Sequence, residues 1–330
     1  MVTDLPFAWS HGCGLVSTTA GMLRSCVFEL EGVAFDPFAR ATWAPNAFPQ
    51  LPGHLRTLGA EFVCLPFGGD PVAGVSAGWE GARAAQPVVP AHGRPADEEW
   101  EIVAQGPGGV SLALMFPDDE PIQRLERRIA GVPGEPAVAL SVSITARRAT
   151  VTSLGLHPIL RLPEQPRSLR LQVGFEAGFT YPVIADDLRP QATAGRRFAA
   201  LERVPMGDAH EDLSRLPLDR PAEEIVQLAG VTGPVTAFFE QERAGVVIDW
   251  DRRRLPCVQL WLSDRALGGD PWRQGYRGLG VEPVASAFDL PVGVSIAQNP
   301  ISQAGYPTSV ALGAGETVTI GYSIHAFSQK

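Results

Sequence analysis

Lysine is almost missing from this chain: of 27 Lys+Arg residues in 330, only Lys330 is a lysine and the rest are arginine. We read that as coding bias. Acidic residues outnumber basic ones for a net charge of −9, which argues against a protein built mainly to bind nucleic acid. Cysteine is scarce as well. Cys13, Cys26, Cys64 and Cys257 are scattered without CxxC spacing, and the start Met1-Val2-Thr3-Asp4-Leu5-Pro6 has no basic or apolar signal region. Buried free thiols and a cytoplasmic location are therefore expected. No window approaches the ~18 uninterrupted apolar residues of a membrane span. HExxH, close His-x-His, GxxxxGK[ST] and GxSxG are all absent, so no zinc site, phosphate loop or serine elbow is expected. Gly12-Cys13-Gly14 begins like GxGxxG, but Ser17 stands where the third glycine belongs. Sustained helical periodicity is missing too, and only 221–228 reads as a turn or two of helix.

What is abundant is glycine and proline, 35 and 30 residues, beside 45% hydrophobic residues. That many breakers exclude a helix bundle, while the apolar fraction supplies a sizeable core. Period-two alternation recurs instead. Val138, Leu140, Val142 and Ile144 alternate with small polar residues, and so do Val318, Ile320, Tyr322 and Ile324; these are half-buried strands. The runs 100–105 and 110–116 flank Gly106-Pro107-Gly108-Gly109 as a hairpin, and 235–241 with 245–250 form another. Further strands are expected at 169–175 and 258–262. No fixed-period repeat and no linker divides the chain, so one large antiparallel β-sandwich domain over 1–330 is expected.

Six histidines can be weighed one by one. His11, His54 and His210 lie in irregular or polar segments and read as surface or loop residues; His325 falls on the polar phase of the last strand. His92 follows the apolar run Val88-Val89-Pro90 and precedes Gly93, which permits close approach of backbone or ligand. His157 stands before Pro158, where a strand ladder must stop. By residue type alone each is either a hydrogen-bonded structural histidine or a ligand. Glu282, in Gly280-Val281-Glu282-Pro283, is either a desolvated carboxylate with a raised pKa or a solvent-side partner of an arginine. Trp261 and Trp272 are core residues or stacking platforms for a sugar ring.

The order of these motifs resembles the aldose 1-epimerase (galactose mutarotase-like) family. His92-Gly93 with downstream Trp100, the strand-end His157, Gly280-Val281-Glu282-Pro283, Phe62 to Gly68, and the ending Asn299-Pro300-Ile301 to Val318 carry the likeness. It spans about Gly59 to His325. The resemblance implies a β-supersandwich with a sugar in a cleft on one sheet and no cofactor. It also implies Glu282 as catalytic base, His157 as general acid and His92 as a sugar-binding histidine. A small-molecule sugar is then the partner, with no nucleic acid or membrane, and a monomer or homodimer is expected. The chain departs from the family at three places. The arginine that clamps the sugar is absent from Leu65 to Asp70, leaving Asp70 or Arg94 to replace it. The sugar-binding aspartate has its nearest counterpart within Glu223-Glu224-Ile225-Val226-Gln227, from which Gln227 is taken, and Gly155-Leu156 replaces an asparagine before His157. Trp261 completes the expected binding set. An isomerase that interconverts anomers is thus expected, with a non-catalytic sugar-binding or sensing protein as the alternative. A glycosidase would need a second carboxylate about 5–10 Å from Glu282, for which Asp70 and Asp249 are the candidates.

Overall fold

A computed structural model describes residues 3–45, 47–69, 74–83, 90–184 and 191–329. It is all-β, as expected, and two antiparallel sheets of eight and nine strands dominate it. The eight-stranded sheet comprises β1 (Val63–Cys64), β2 (Leu154–Leu156), β3 (Ile159–Arg161), β4 (Ala177–Thr180), β5 (Arg197–Phe198), β6 (Ala222–Ala229), β7 (Cys257–Asp264) and β8 (Arg277–Ala285). Its order is β5-β4-β6-β7-β8-β2-β1, with β3 also pairing β8. The nine-stranded sheet runs from Arg215–Leu216 at one edge to Glu101–Gly106 at the other, with Thr317–Ser328 near its middle.

Alternation decides which side of each strand meets the core. Val226 and Leu228 of β6, Val258, Leu260 and Leu262 of β7, and Leu279 and Val281 of β8 join one buried cluster. That cluster also holds Leu125, Ile129, Val138, Leu140, Val142 and Ile144 from the facing sheet. Alternate residues of β6, β7 and β8 (Ile225, Gln227, Gln259, Trp261, Gly280 and Glu282) therefore point to the opposite face, away from that core. The expected hairpins are present, as Glu101–Gly106 with Gly109–Met115 and Val235–Phe239 with Ala244–Trp250.

Two expectations need correction. Residues 221–228 are not helical: Ala222–Ala229 is an inner strand, paired with β4 on one side and β7 on the other. A full-length ladder to β7, joined by a four-residue ladder to β4, outweighs the local helix preference of Ala-Glu-Glu. All four cysteines are free, but only Cys26, Cys64 and Cys257 are buried; Cys13 is exposed, because its strand turns that side chain away from the core. Among the described residues, no helix is long and apolar enough to cross a membrane.

A buried ion pair ties the nine-stranded sheet to the segment leading into β1. Arg127, on the inward face of Ile122–Gly131, meets the Glu61 carboxylate, and neither side chain has solvent exposure. The Tyr322 hydroxyl donates to the same carboxylate at 2.7 Å. Removing one partner strands a buried charge, whereas replacing both with apolar groups does not. We expect Glu61→Ala to cost about 3–5 kcal/mol and the double change Glu61→Leu with Arg127→Met to recover most of it in denaturant unfolding. Equal losses in the two variants would show that the charge pairing is not what matters.

Candidate active site

The face of the eight-stranded sheet turned away from the core between the sheets carries a cavity of about 490 Å³, lined by His54, His92, His157, Glu223, Gln259, Trp261, Trp272, Glu282 and Asp289 among others. Strand register explains much of this list. Gly155 pairs with Val284 and Ile159 with Gly280, so counting inward from both pairs brings His157 opposite Glu282. On its other side Glu282 pairs with Gln259, and Gln259 with Gln227. One cross-strand row thus holds four polar side chains. Pro158 interrupts the ladder between β2 and β3, but its carbonyl still accepts the Val281 N–H at 2.8 Å. The break is shallow enough to keep His157 in register.

Glu282 is fully buried. Its Oε1 lies 3.4 Å from His157 Nε2, and its Oε2 accepts a hydrogen bond from Gln259 Nε2 at 2.9 Å. Burial, and then the nearby Asp289 carboxylate, hold the Glu282 pKa well above the usual carboxylate value. Burial also pushes His157 down to about 3, with His54 adding to the effect. Phe62 stacks on the His157 ring at 4.3 Å, which fixes its plane. Gly280 is required beside this pair. A Cβ there would sit 2.1 Å from Glu282 Oε1, so any side chain would displace the carboxylate.

His92 is half-buried, with φ +64°, and Gly93 follows at φ +74°. A Cβ on Gly93 would lie 2.1 Å from the Leu65 carbonyl, so the close approach expected of that glycine is real. The approach is to backbone. Trp261 lines the cavity and donates from Nε1 to Glu223 Oε1 at 2.6 Å. It also stacks on Tyr276, which packs against Trp272.

Other expected site residues are placed differently. Arg94 lies outside the cavity lining, because the short turn Arg94–Ala96 aims its guanidinium at Glu120, 2.6 Å away, and at Glu98. Gln227 is buried with both ends of its amide in use: Nε2 donates to the Ser286 carbonyl and Oε1 accepts the Phe288 N–H, each at 2.7 Å. It secures the 286–288 segment over the sheet, while Glu223, four residues earlier on the same face, lines the cavity. Asp249 sits in the other sheet, paired with Arg252. Asp70 lies outside the described residues, as do Val88 and Val89 of the run before His92.

His54 was missed, and it is neither a surface nor a free loop residue. It is buried, lines the cavity, and packs its ring against His92 and Phe62. No local signal marks it, since a distant turn holds it in place. Asp289 was missed as well. Glu223 was legible in principle, because a strand reading of 222–229 puts it in phase with Ile225. Among the described residues, no group of three or more His, Cys, Asp or Glu is placed to hold a metal ion.

The class of fold is that of the aldose 1-epimerase and galactose mutarotase-like structures. The chain matches a provisionally assigned aldose 1-epimerase from Escherichia coli K12 over 100% of both chains, with TM-score 0.67 and 17% identity. An aldose epimerase homologue from C. elegans matches over 100% of both chains, with TM-score 0.65 and 11% identity. A galactose mutarotase related enzyme from Lactobacillus acidophilus matches over 99% of this chain and 98% of its own, with TM-score 0.61 and 14% identity. At these identities the likeness is one of fold. No protein-family model and no curated protein matches the chain.

Three imidazoles held neutral by burial give this site an acid sensitivity. Burial lowers His54 to about 4, His157 to about 3, and His92 well below its ordinary value. A group with a depressed folded pKa contributes stability that is complete above its unfolded value, here 6.5, and is lost as pH falls toward the folded value. Glu282 works in the opposite sense: its raised pKa favours the fold below the ordinary carboxylate range and loses that share as pH rises. We expect the Tm to fall between pH 6.5 and pH 4, and His54→Gln to flatten that fall. A Tm that is level across this window in circular dichroism melts would contradict the neutral assignments.

Proposed function

We propose that this protein is a cofactor-independent isomerase that interconverts the anomers of a free aldose, with the whole chain 1–330 acting as one unit. The observation that carries the reading is the 3.4 Å contact between Glu282 Oε1 and His157 Nε2 at the cavity wall. Anomer exchange needs a proton taken from the C1 hydroxyl and another given to the ring oxygen. The ring then opens, C1–C2 rotates, and the same two groups act in reverse. Two opposed proton carriers at hydrogen-bonding distance from one substrate suffice, and no redox or group-transfer step arises.

Glu282 and His157 share one proton. Burial raises the Glu282 pKa and lowers that of His157, so Glu282 is the proton's resting carrier in this proposal, and moving it to His157 leaves the total charge of the pair unchanged. That transfer produces the carboxylate base and imidazolium acid that ring opening calls for, so the pair is treated as one titrating unit. Gln259 Nε2 donates to the Glu282 oxygen that does not face His157, which favours the carboxylate form when the proton has crossed. His92 and Trp261 supply a hydrogen-bonding group and an aromatic face for the sugar. Three carboxylates line the cavity, those of Glu223, Glu282 and Asp289, and no lysine or arginine does so among the described residues. This lining suits a neutral polyhydroxy ligand better than a sugar phosphate.

We expect Glu282→Gln and His157→Ala each to slow anomer interconversion by about 10²–10⁴-fold. The double variant should be little slower than the worse single one, because the two residues act as a unit. Polarimetry or exchange NMR on a panel of aldoses decides this, and wild-type rates in both single variants would rule the mechanism out. Sugar affinity by calorimetry with no rate enhancement in the wild-type protein would establish the sugar-binding or sensing alternative instead.

A further inference from the structure

His54 is held by a clamp that has no part in the acid–base pair. It lies in the short helix α1 (Gly53–Arg56). The Gly53 N–H donates to Asp97 Oδ1 at 2.7 Å, and Arg56 reaches the Asp97 carbonyl at 3.4 Å. Between these contacts, His54 Nδ1 lies 3.1 Å from the Ala96 carbonyl. A carbonyl only accepts, so Nδ1 carries the proton and the neutral ring presents Nε2 as a lone pair. His92 is fixed the other way round. The Gly68 N–H donates to its Nδ1 at 3.2 Å, so that nitrogen is the lone pair and Nε2 carries the proton. The rings stand 5.4 Å apart at 89°, and both line the cavity. Backbone groups thus dictate opposite tautomers in two adjacent imidazoles, one an acceptor and the other a donor.

We infer that His54 is a sugar-binding residue that works with His92 to read a vicinal diol, one hydroxyl donating to His54 Nε2 and its neighbour accepting from His92 Nε2–H. The inference rests on the sugar reading of the cavity and adds to it the feature that selects among sugars. A lone pair beside a fixed N–H matches two adjacent hydroxyls, and both rings are kept neutral by burial. Because both protons are set by backbone groups, the pair recognises hydroxyls without first reorganising. An analogue lacking the donated hydroxyl leaves the buried His54 lone pair unmet, which is the costly case.

Calorimetry on the full chain tests this, using galactose, glucose and each of their monodeoxy analogues with the wild type, His54→Phe and His54→Gln. Phenylalanine keeps the ring and its packing on Phe62 but removes the acceptor; glutamine restores an amide oxygen near the Nε2 position. We expect His54→Phe to weaken the Kd about tenfold or more, with His54→Gln close to wild type. One deoxy position should cost the wild type a similar factor and cost His54→Phe nothing further. Unchanged affinity in His54→Phe, or an undiminished deoxy penalty there, overturns the pairing. A variant-free measurement stands beside it. The ¹⁵N resonance of His54 Nε2 should be that of an unprotonated nitrogen and should shift on sugar addition; a protonated or unmoved resonance also overturns it. These readouts need no turnover, so they fail independently of the rate tests on Glu282 and His157.

Discussion

Holding a carboxyl group and an imidazole 3.4 Å apart with both out of water is the constraint on which the rest of the site depends. Burial opposes charge on each partner, so the pair settles at one shared proton and zero net charge. Burial alone meets that condition; what the sheet adds is to hold the two side chains within 3.4 Å of each other. β2 and β3 pair with β8 on either side of His157-Pro158, so the imidazole cannot drift without breaking backbone hydrogen bonds. Phe62 holds the ring plane from above. Glu61, the residue before Phe62, is locked into the core through Arg127 and Tyr322. Glu61 in the ion pair and Phe62 on the His157 ring are thus adjacent residues of one short stretch of chain.

The cavity around this pair is organised by backbone groups as much as by side chains. The Ala96 carbonyl and the Gly68 amide assign the tautomers of His54 and His92, and Gln227 uses its whole amide to hold the 286–288 segment. The adjoining Asp289 raises the Glu282 pKa further. Carboxylates and imidazoles together with the Trp261 and Trp272 rings line the cavity, which gives a surface with both a polar and an apolar character. A pyranose has the same two characters, hydroxyls at its rim and C–H groups on its faces.

Particular residues show how far sequence reasoning reached. Alternation at 138–144 and 318–324 was a true guide to strands, because a half-buried sheet imposes period two on any sequence that forms it. Glu282 and His157 stood out locally, as an acid in an apolar run and a histidine before proline, but local signals left each with a structural reading, and the fold brings the two together. The 222–229 strand was not legible: its helix-favouring residues are overruled by ladders to partners about 28–52 residues away. Gln227 was taken from the segment nearest by order to the family's aspartate, whereas the fold puts Glu223 of that segment in the cavity wall. Arg94 looked available until the fold brought Glu120 to it. Cys13 looked buried by residue type, although its strand faces outward.

His54 marks the boundary most clearly. By itself the sequence determined the fold class, through breaker-rich composition and alternating apolar runs, and its local chemistry marked Glu282 and His157 as candidates, to which only the family resemblance gave roles. Those signals are local because period two and desolvation act within a few residues. Only the tertiary structure decided which side chains share the cavity and which proton each histidine carries. Both depend on contacts across large sequence separations: 42 residues from His54 to Ala96, 24 from Gly68 to His92, and adjacent strands that set His157 against Glu282. No pattern within a segment can encode a hydrogen bond whose other half lies in a different one.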